Sequence, residues 1–95
     1  MSADTQMAML KVDIGLMRCT DQQEIYLRSL LTRAAGDISE RGITLQPDCE
    51  EDETLAVMYA GWLYRVRGSS EDRVLPKYLK QQLNNKLIHQ KGRGT

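Results

Sequence analysis

The segment from Asp52 to Arg67 has the most regular hydrophobic pattern in the chain. Its main apolar positions alternate between steps of three and one, the spacing of a helix packed on a core: Leu55, Met58, Tyr59, Trp62, Leu63 and Val66. The reverse of this helix is also largely apolar, through Val57, Ala60, Gly61 and Tyr64. A helix that is apolar on two sides needs a partner on each. We therefore predict that Trp62 is buried and that the four reverse-face residues form a subunit interface, with the N-terminal segment as the alternative cover.

Two further segments have helical periodicity. Residues 22–41 carry an apolar stripe after a capping-box pattern at Asp21 and Glu24, and Gly42 follows where a left-handed cap is expected. Residues 76–90 begin with a proline suited to a first helical turn and repeat leucine every four positions. The central helix itself is predicted over residues 49–67, because Asp48 and an acidic first turn mark its start.

The two ends of the chain have weaker patterns. Residues 1–20 mix apolar and polar positions and contain Gly15, which argues against one continuous helix, so we predict an arm or a short helix there. Residues 91–95 are predicted to form a flexible basic tail. The expected fold class is all-α, with one domain over residues 1–95 in which three main helices form a small bundle.

The net charge of zero hides an uneven distribution along the chain. The first 53 residues contain 11 acidic and 5 basic side chains, a net charge of −6, and the remainder contains 2 acidic and 8 basic ones, a net charge of +6. Four lysines of the last helix are candidate contacts to an acidic protein surface or to nucleic acid phosphates: Lys77, Lys80, Lys86 and Lys91. Tyr59 and Trp62 are an alternative platform for stacked bases, but their place on the main apolar stripe favours core packing.

No residue pattern indicates catalysis, a cofactor or a metal site. Cys19 and Cys49 lack a metal-binding spacing and His89 is remote from both, so two reduced thiols are expected and a Cys19–His89 catalytic pair is disfavoured. The carboxylates of residues 50–53 fit a helix N-terminus better than a calcium loop or a separated acid and base. We predict no enzyme activity and no small-molecule substrate. No apolar run is long enough for a membrane span.

The order of these patterns resembles the small all-helical head–tail connector (adaptor) proteins of tailed bacteriophages and related prophages. In the first half the resemblance rests on Leu10-Lys11, Asp13 to Leu16, Asp21, Leu30-Leu31, Ala34-Ala35 and Ile38. In the second half it rests on Asp52, Glu53, Leu55, Tyr59-Ala60, Leu63-Tyr64-Arg65, Arg67, Leu75-Pro76, Leu79 and the segment LNNKL at 83–87. Together these stretches span about three quarters of the chain.

The resemblance implies a structural virion protein that forms a ring between the portal and the tail or stopper proteins. It also implies a homo-oligomer, DNA in the channel of the ring, and assembly in the host cytoplasm. The opposite charges of the two halves agree with a head-to-tail contact, which closes into a ring when the rotation permits. The alternative class is a small helical nucleic-acid-binding regulator that uses the basic C-terminal helix. Neighbouring portal, capsid and tail genes would distinguish the two.

Overall fold

The computed structural model describes residues 3–16, 18–46, 49–66 and 74–93 of the chain. These residues form four helices and no strand: α1 (Ala3–Ile14), α2 (Asp21–Glu40), α3 (Glu50–Val66) and α4 (Lys77–Arg93). The predicted all-α fold class is confirmed. The bounds of the three main helices differ from the predicted ones by one to three residues.

Helix α3 lies at the centre of the fold. Ten of its 17 residues are buried, and α1, α2 and α4 each pack against it, which is why its sequence is apolar on more than one side. Trp62 is only 8% exposed, and its ring meets that of Tyr59 edge-on with 5.5 Å between the ring centroids. The predicted burial of Trp62 is confirmed. The stacking alternative is wrong, because the core covers the ring that would have to receive a base.

Helix α2 covers one side of α3 with its predicted stripe, and the buried residues are Leu27, Leu30, Leu31, Ala34 and Ile38. Its predicted start is wrong by one position. The Thr20 hydroxyl accepts the Gln23 N–H at 3.1 Å, and the Gln23 side chain accepts the Thr20 N–H at 2.8 Å. Threonine and aspartate both cap helices well, and this reciprocal pair makes Thr20 the cap. Gly42 has the predicted left-handed conformation, with a φ of 90°.

Helix α1 occupies the segment predicted as an arm or a short helix. Its inward stripe consists of Met7, Leu10 and Ile14. The helix ends at Gly15, whose φ is 74°. The N–H groups of Gly15 and Leu16 donate to the carbonyls of Val12 and Lys11 at 3.2 and 2.9 Å, which is the Schellman pattern. The glycine that argued against a long helix is therefore the stop signal of a short one.

Helix α4 uses the predicted leucine repeat, and the buried members are Leu75, Leu79 and Leu83. The prediction that residues 91–95 form a flexible tail is wrong for its first part, because α4 continues to Arg93. Gly92 costs a helix only about 1 kcal/mol relative to alanine and no proline follows, so the sequence does not end the helix at Gln90. Residues 94 and 95 lie outside the described part of the chain.

Candidate functional site

A buried ion pair joins the first turn of α3 to α4. Asp52 is 1% exposed, and one carboxylate oxygen lies against the ammonium group of Lys86. The other oxygen accepts the backbone N–H of Gln46 at 2.8 Å. Burial acts to raise the pKa of Asp52, but Lys86 and the Gln46 N–H outweigh burial and hold this pKa below its usual value. The Asp52 carboxylate thus links α3, the connection between α2 and α3, and α4.

A second polar contact fastens α4 to the connection between α2 and α3. The side-chain amide of Gln90 donates to the Thr44 carbonyl at 2.6 Å, and its oxygen accepts the Thr44 N–H at 3.1 Å. Gln90 therefore satisfies both backbone groups of one residue, as a neighbouring strand would. Together with the Lys86 ion pair, this contact fixes the position of α4 along the connection.

The four lysines predicted as partner or phosphate contacts have different surroundings. Lys77 and Lys80 are exposed on α4 and remain available for a partner. The prediction for Lys86 is wrong, because its side chain is only 20% exposed and is engaged by Asp52. The side chain of Lys91 lies outside the described part of the structure.

The four residues predicted to form a subunit interface are covered within the chain: Val57, Ala60, Gly61 and Tyr64. The first three are buried, and the partly buried ring of Tyr64 lies 6.5 Å from that of Tyr26 in α2. At Gly61 the N-terminal helix comes so close that a Cβ atom would lie less than 3.0 Å from the Asp13 carboxylate. The interface prediction is wrong for the folded chain because α1 and α2 occupy this surface. The helix that lies against Gly61 is α1, in the N-terminal segment that was predicted as the alternative cover.

Ion pairs on both flanks hold α1 in this position. Arg65 of α3 donates to the backbone carbonyl of Asp13 at 2.9 Å and to its carboxylate at 3.0 Å. On the α2 side, the Lys11 ammonium group lies 2.7 Å from the Glu24 carboxylate, and this hydrogen bond raises the pKa of Lys11. The N-terminal helix is therefore fixed by charge as well as by its apolar stripe.

An apolar groove remains open between α1, α3 and α4. Its principal part has a volume of about 430 Å³ and is lined by Ala8, Met9, Val12, Asp13, Thr54, Val57 and Met58. Two adjoining depressions of mixed polarity share Met58 with this part and extend it towards α4, one along Leu55 and Gln82 and the other at Tyr78. Val12 at its rim is 80% exposed. We call this surface the α1–α3–α4 groove. Its methionines can adapt their shape to a partner.

Charge is distributed unevenly along the α1–α3–α4 groove. Glu50 and Glu51, both exposed, line the end formed by the first turn of α3. At the opposite end Arg65 lies in the groove wall but is neutralised by its ion pair with Asp13. Asp13 and Arg65 pair with each other, so Glu50 and Glu51 carry the unpaired charge among the described residues that line the groove. That charge is negative.

The two cysteines and the histidine, the side chains considered for catalysis or metal binding, do not form a common site. Cys19 and Cys49 are half-buried free thiols, and Cys19 packs against the core. His89 lies instead in a cleft of about 260 Å³ between α3 and α4, where Glu51 and Asn85 are its neighbours. The structure does not bring Cys19 and His89 together. Among the described residues, no three histidine, cysteine, aspartate or glutamate side chains are grouped so that they could hold a metal ion.

Comparisons of the chain with protein-family models, with curated proteins and with solved structures find no match. Within the described ranges, no helix combines the length and the apolar character that crossing a bilayer requires. The surface of the four-helix fold is therefore the basis for a functional proposal.

Sequence reasoning missed the α1–α3–α4 groove because it treated the N-terminal segment as a cover and did not consider its outer surface. A signal for the groove was present in Ala8, Met9 and Val12. These residues fall outside the Met7–Leu10–Ile14 stripe and add a second apolar side to a helix of only 12 residues. A short helix with two apolar sides indicates either a deeply buried element or a second contact.

Proposed function

We propose that this chain is a structural assembly protein without enzyme activity, of the head–tail connector type. The observation that carries the proposal is the α1–α3–α4 groove, a largely apolar surface on a small helical fold whose buried Asp52 carboxylate is already paired internally. Exposed apolar surface of this kind is typical of protein contact sites. The resemblance of the sequence to phage connectors supports the choice of this class.

In this proposal the partners are other copies of the chain, the portal protein and a tail or stopper protein. The protein acts in the virion and is assembled in the host cytoplasm. The subunit contacts of the ring use surfaces that the fold leaves exposed, since α1 and α2 already cover the reverse of α3. Large apolar residues on such surfaces are Val12, Ile25, Tyr26, Val74, Tyr78 and Ile88.

Binding to a portal ring tests the proposed function. The chain is mixed with the purified portal protein encoded in the same genome, and the mixture is analysed by native mass spectrometry. We expect a complex with a defined number of chains per portal ring. A Val12→Glu variant should bind less, because a carboxylate would be placed on the exposed apolar rim. A portal that binds no chain, together with the absence of the chain from purified virions by peptide mass spectrometry, would rule the proposal out.

One observation favours a second candidate, the nucleic-acid-binding regulator. Helix α4 contains no acidic residue, and Lys77 and Lys80 are exposed on it. Phosphate contacts from Lys77 and Lys80 alone would give a slope of about −2 in a plot of log affinity against log salt concentration, whereas a protein that makes 6–10 such contacts has a slope of about −5 to −9. The loss of Lys86 to Asp52 thus weakens this candidate. Fluorescence anisotropy with labelled duplex DNA over a salt series would measure the slope directly.

A further inference from the structure

We propose that the α1–α3–α4 groove receives the outward face of α4 from a second copy of the chain, in a head-to-tail contact. This inference rests on the proposed assembly function and names the two surfaces through which the copies would meet. It also assigns a partner to an apolar residue of α4 that the fold leaves exposed.

The outward face of α4 matches the groove in charge and in apolar character. Ile88 is 68% exposed on the side of α4 away from the buried leucines. Lys77 and Lys80 are exposed on the same helix, and α4 contains no acidic residue. The groove offers the complement, with apolar walls that include Val12 and Met58 and a negative end at Glu50 and Glu51. Complementary charge of this kind fixes orientation more than it adds affinity.

The spacing of the residues on the two helices allows this contact. On α3, Glu51 precedes Met58 by seven residues, and on α4, Lys77 precedes Ile88 by eleven residues. Seven and eleven residues are close to two and three whole turns, so each charged residue lies on the same side of its helix as the apolar residue that it precedes. When Ile88 of one copy lies against Met58 of the other and the helices run parallel, Lys77 comes within about 6 Å of the level of Glu51, because the two rises are about 16.5 and 10.5 Å.

The geometry of this contact is heterologous. The groove and the outward face of α4 are different surfaces of the same chain, so a pair of copies leaves one unused groove and one unused α4 face. Further copies can be added until the rotation closes a ring, or without limit if it does not close. A two-fold contact of groove against groove would instead stop at two copies.

Two substitutions separate these possibilities. Val12→Glu damages the groove and Ile88→Glu damages the α4 face, and both positions are so exposed that folding should be retained. Ile25→Glu on α2 is a matched control, because Ile25 is also 68% exposed but belongs to neither surface. The helix content of all three variants is checked by circular dichroism, and their mass is measured by sedimentation velocity over a concentration series.

We expect the parent chain and the Ile25→Glu variant to form larger species as concentration rises, and to do so less at high salt. Each of the other two variants should remain monomeric. An equimolar mixture of those two should form a species of two chains and nothing larger, because one intact groove then meets one intact α4 face.

Three results would overturn the inference. They are a parent chain that stays monomeric at every concentration, a mixture that does not recover association, and an equal loss of association in the Ile25→Glu control. A monomeric chain that still binds the portal ring would overturn this contact alone. A chain that associates as expected but binds no portal and is absent from virions would instead overturn the proposed function.

Discussion

Replacement of Lys86 by methionine tests the role of the buried ion pair. The substitution keeps most of the aliphatic side chain but removes the charge next to Asp52, which is 1% exposed. Loss of one partner from a buried pair commonly costs about 3–5 kcal/mol, because the remaining charge stays buried without its partner. We expect about 3 kcal/mol here, at the lower end, since Lys86 is 20% exposed and the Gln46 N–H still donates to Asp52.

This loss is large relative to the stability of a small domain. At 0.05–0.15 kcal/mol per residue, a chain of this length has a free energy of unfolding of about 5–14 kcal/mol. A loss of 3 kcal/mol corresponds to a decrease in melting temperature of about 12–24 °C. Thermal unfolding followed by circular dichroism measures the decrease. Lys80→Met, at an exposed position on the same helix, is the control and should change the free energy by less than about 0.5 kcal/mol.

The difference between the Lys86→Met variant and the parent should shrink in acid. In the parent, the lowered pKa of Asp52 means that its charge contributes stability above the unfolded-state pKa of about 3.9, and this stability is lost as pH falls through the folded-state value. In the variant, the charged Asp52 is buried without Lys86, and its protonation at low pH removes the free-energy cost of burying that charge. A difference between variant and parent that is the same at pH 4 and pH 7, or no larger than that of Lys80→Met, would refute this reasoning.

The remaining predictions concern α3. Gly61→Leu should push α1 away from α3, because the new side chain meets the Asp13 carboxylate, and should cost about 1–3 kcal/mol, seen as faster amide hydrogen exchange in α1 while α2 stays protected. Gly36→Leu is its control, because a Cβ there meets nothing within 4 Å, and unchanged exchange in the Gly61 variant would contradict the close approach. Trp62→Ala should cost about 3–5 kcal/mol in urea unfolding, and a free energy equal to that of the parent would mean that the ring is not in the core.

The helices could be predicted from the sequence where the hydrophobic stripe was long. The stripe of α2 and the leucine repeat leading into α4 each extend over three or more turns, and their buried residues are those that the spacing indicates. Cap positions were harder to predict because Thr20 and Asp21 are adjacent and both suit the N-cap. Only the reciprocal bonds with Gln23 distinguish them.

The ion pairs between helices could not be predicted, because they depend on how the helices cross. Asp52 and Lys86 are 34 positions apart, and the acidic run around Asp52 is explained equally well by the helix dipole. The element that packs on the reverse face of α3 was equally hard to predict. The apolar residues on its reverse show that a partner is needed but not which one, and the close approach of Asp13 to Gly61 identifies that partner only in three dimensions.

The position of α1 has a consequence for synthesis of the chain on the ribosome. Asp13 pairs with Arg65, which lies 52 residues further along the chain. At about 5–20 residues per second, α1 therefore emerges roughly 3–10 seconds before the helix that it packs against. A 12-residue helix is marginal in water by itself, so its apolar stripe spends that interval exposed to other nascent chains and to chaperones. Of the four helices, α1 is thus the first to be synthesised, but it cannot dock until α3 has followed.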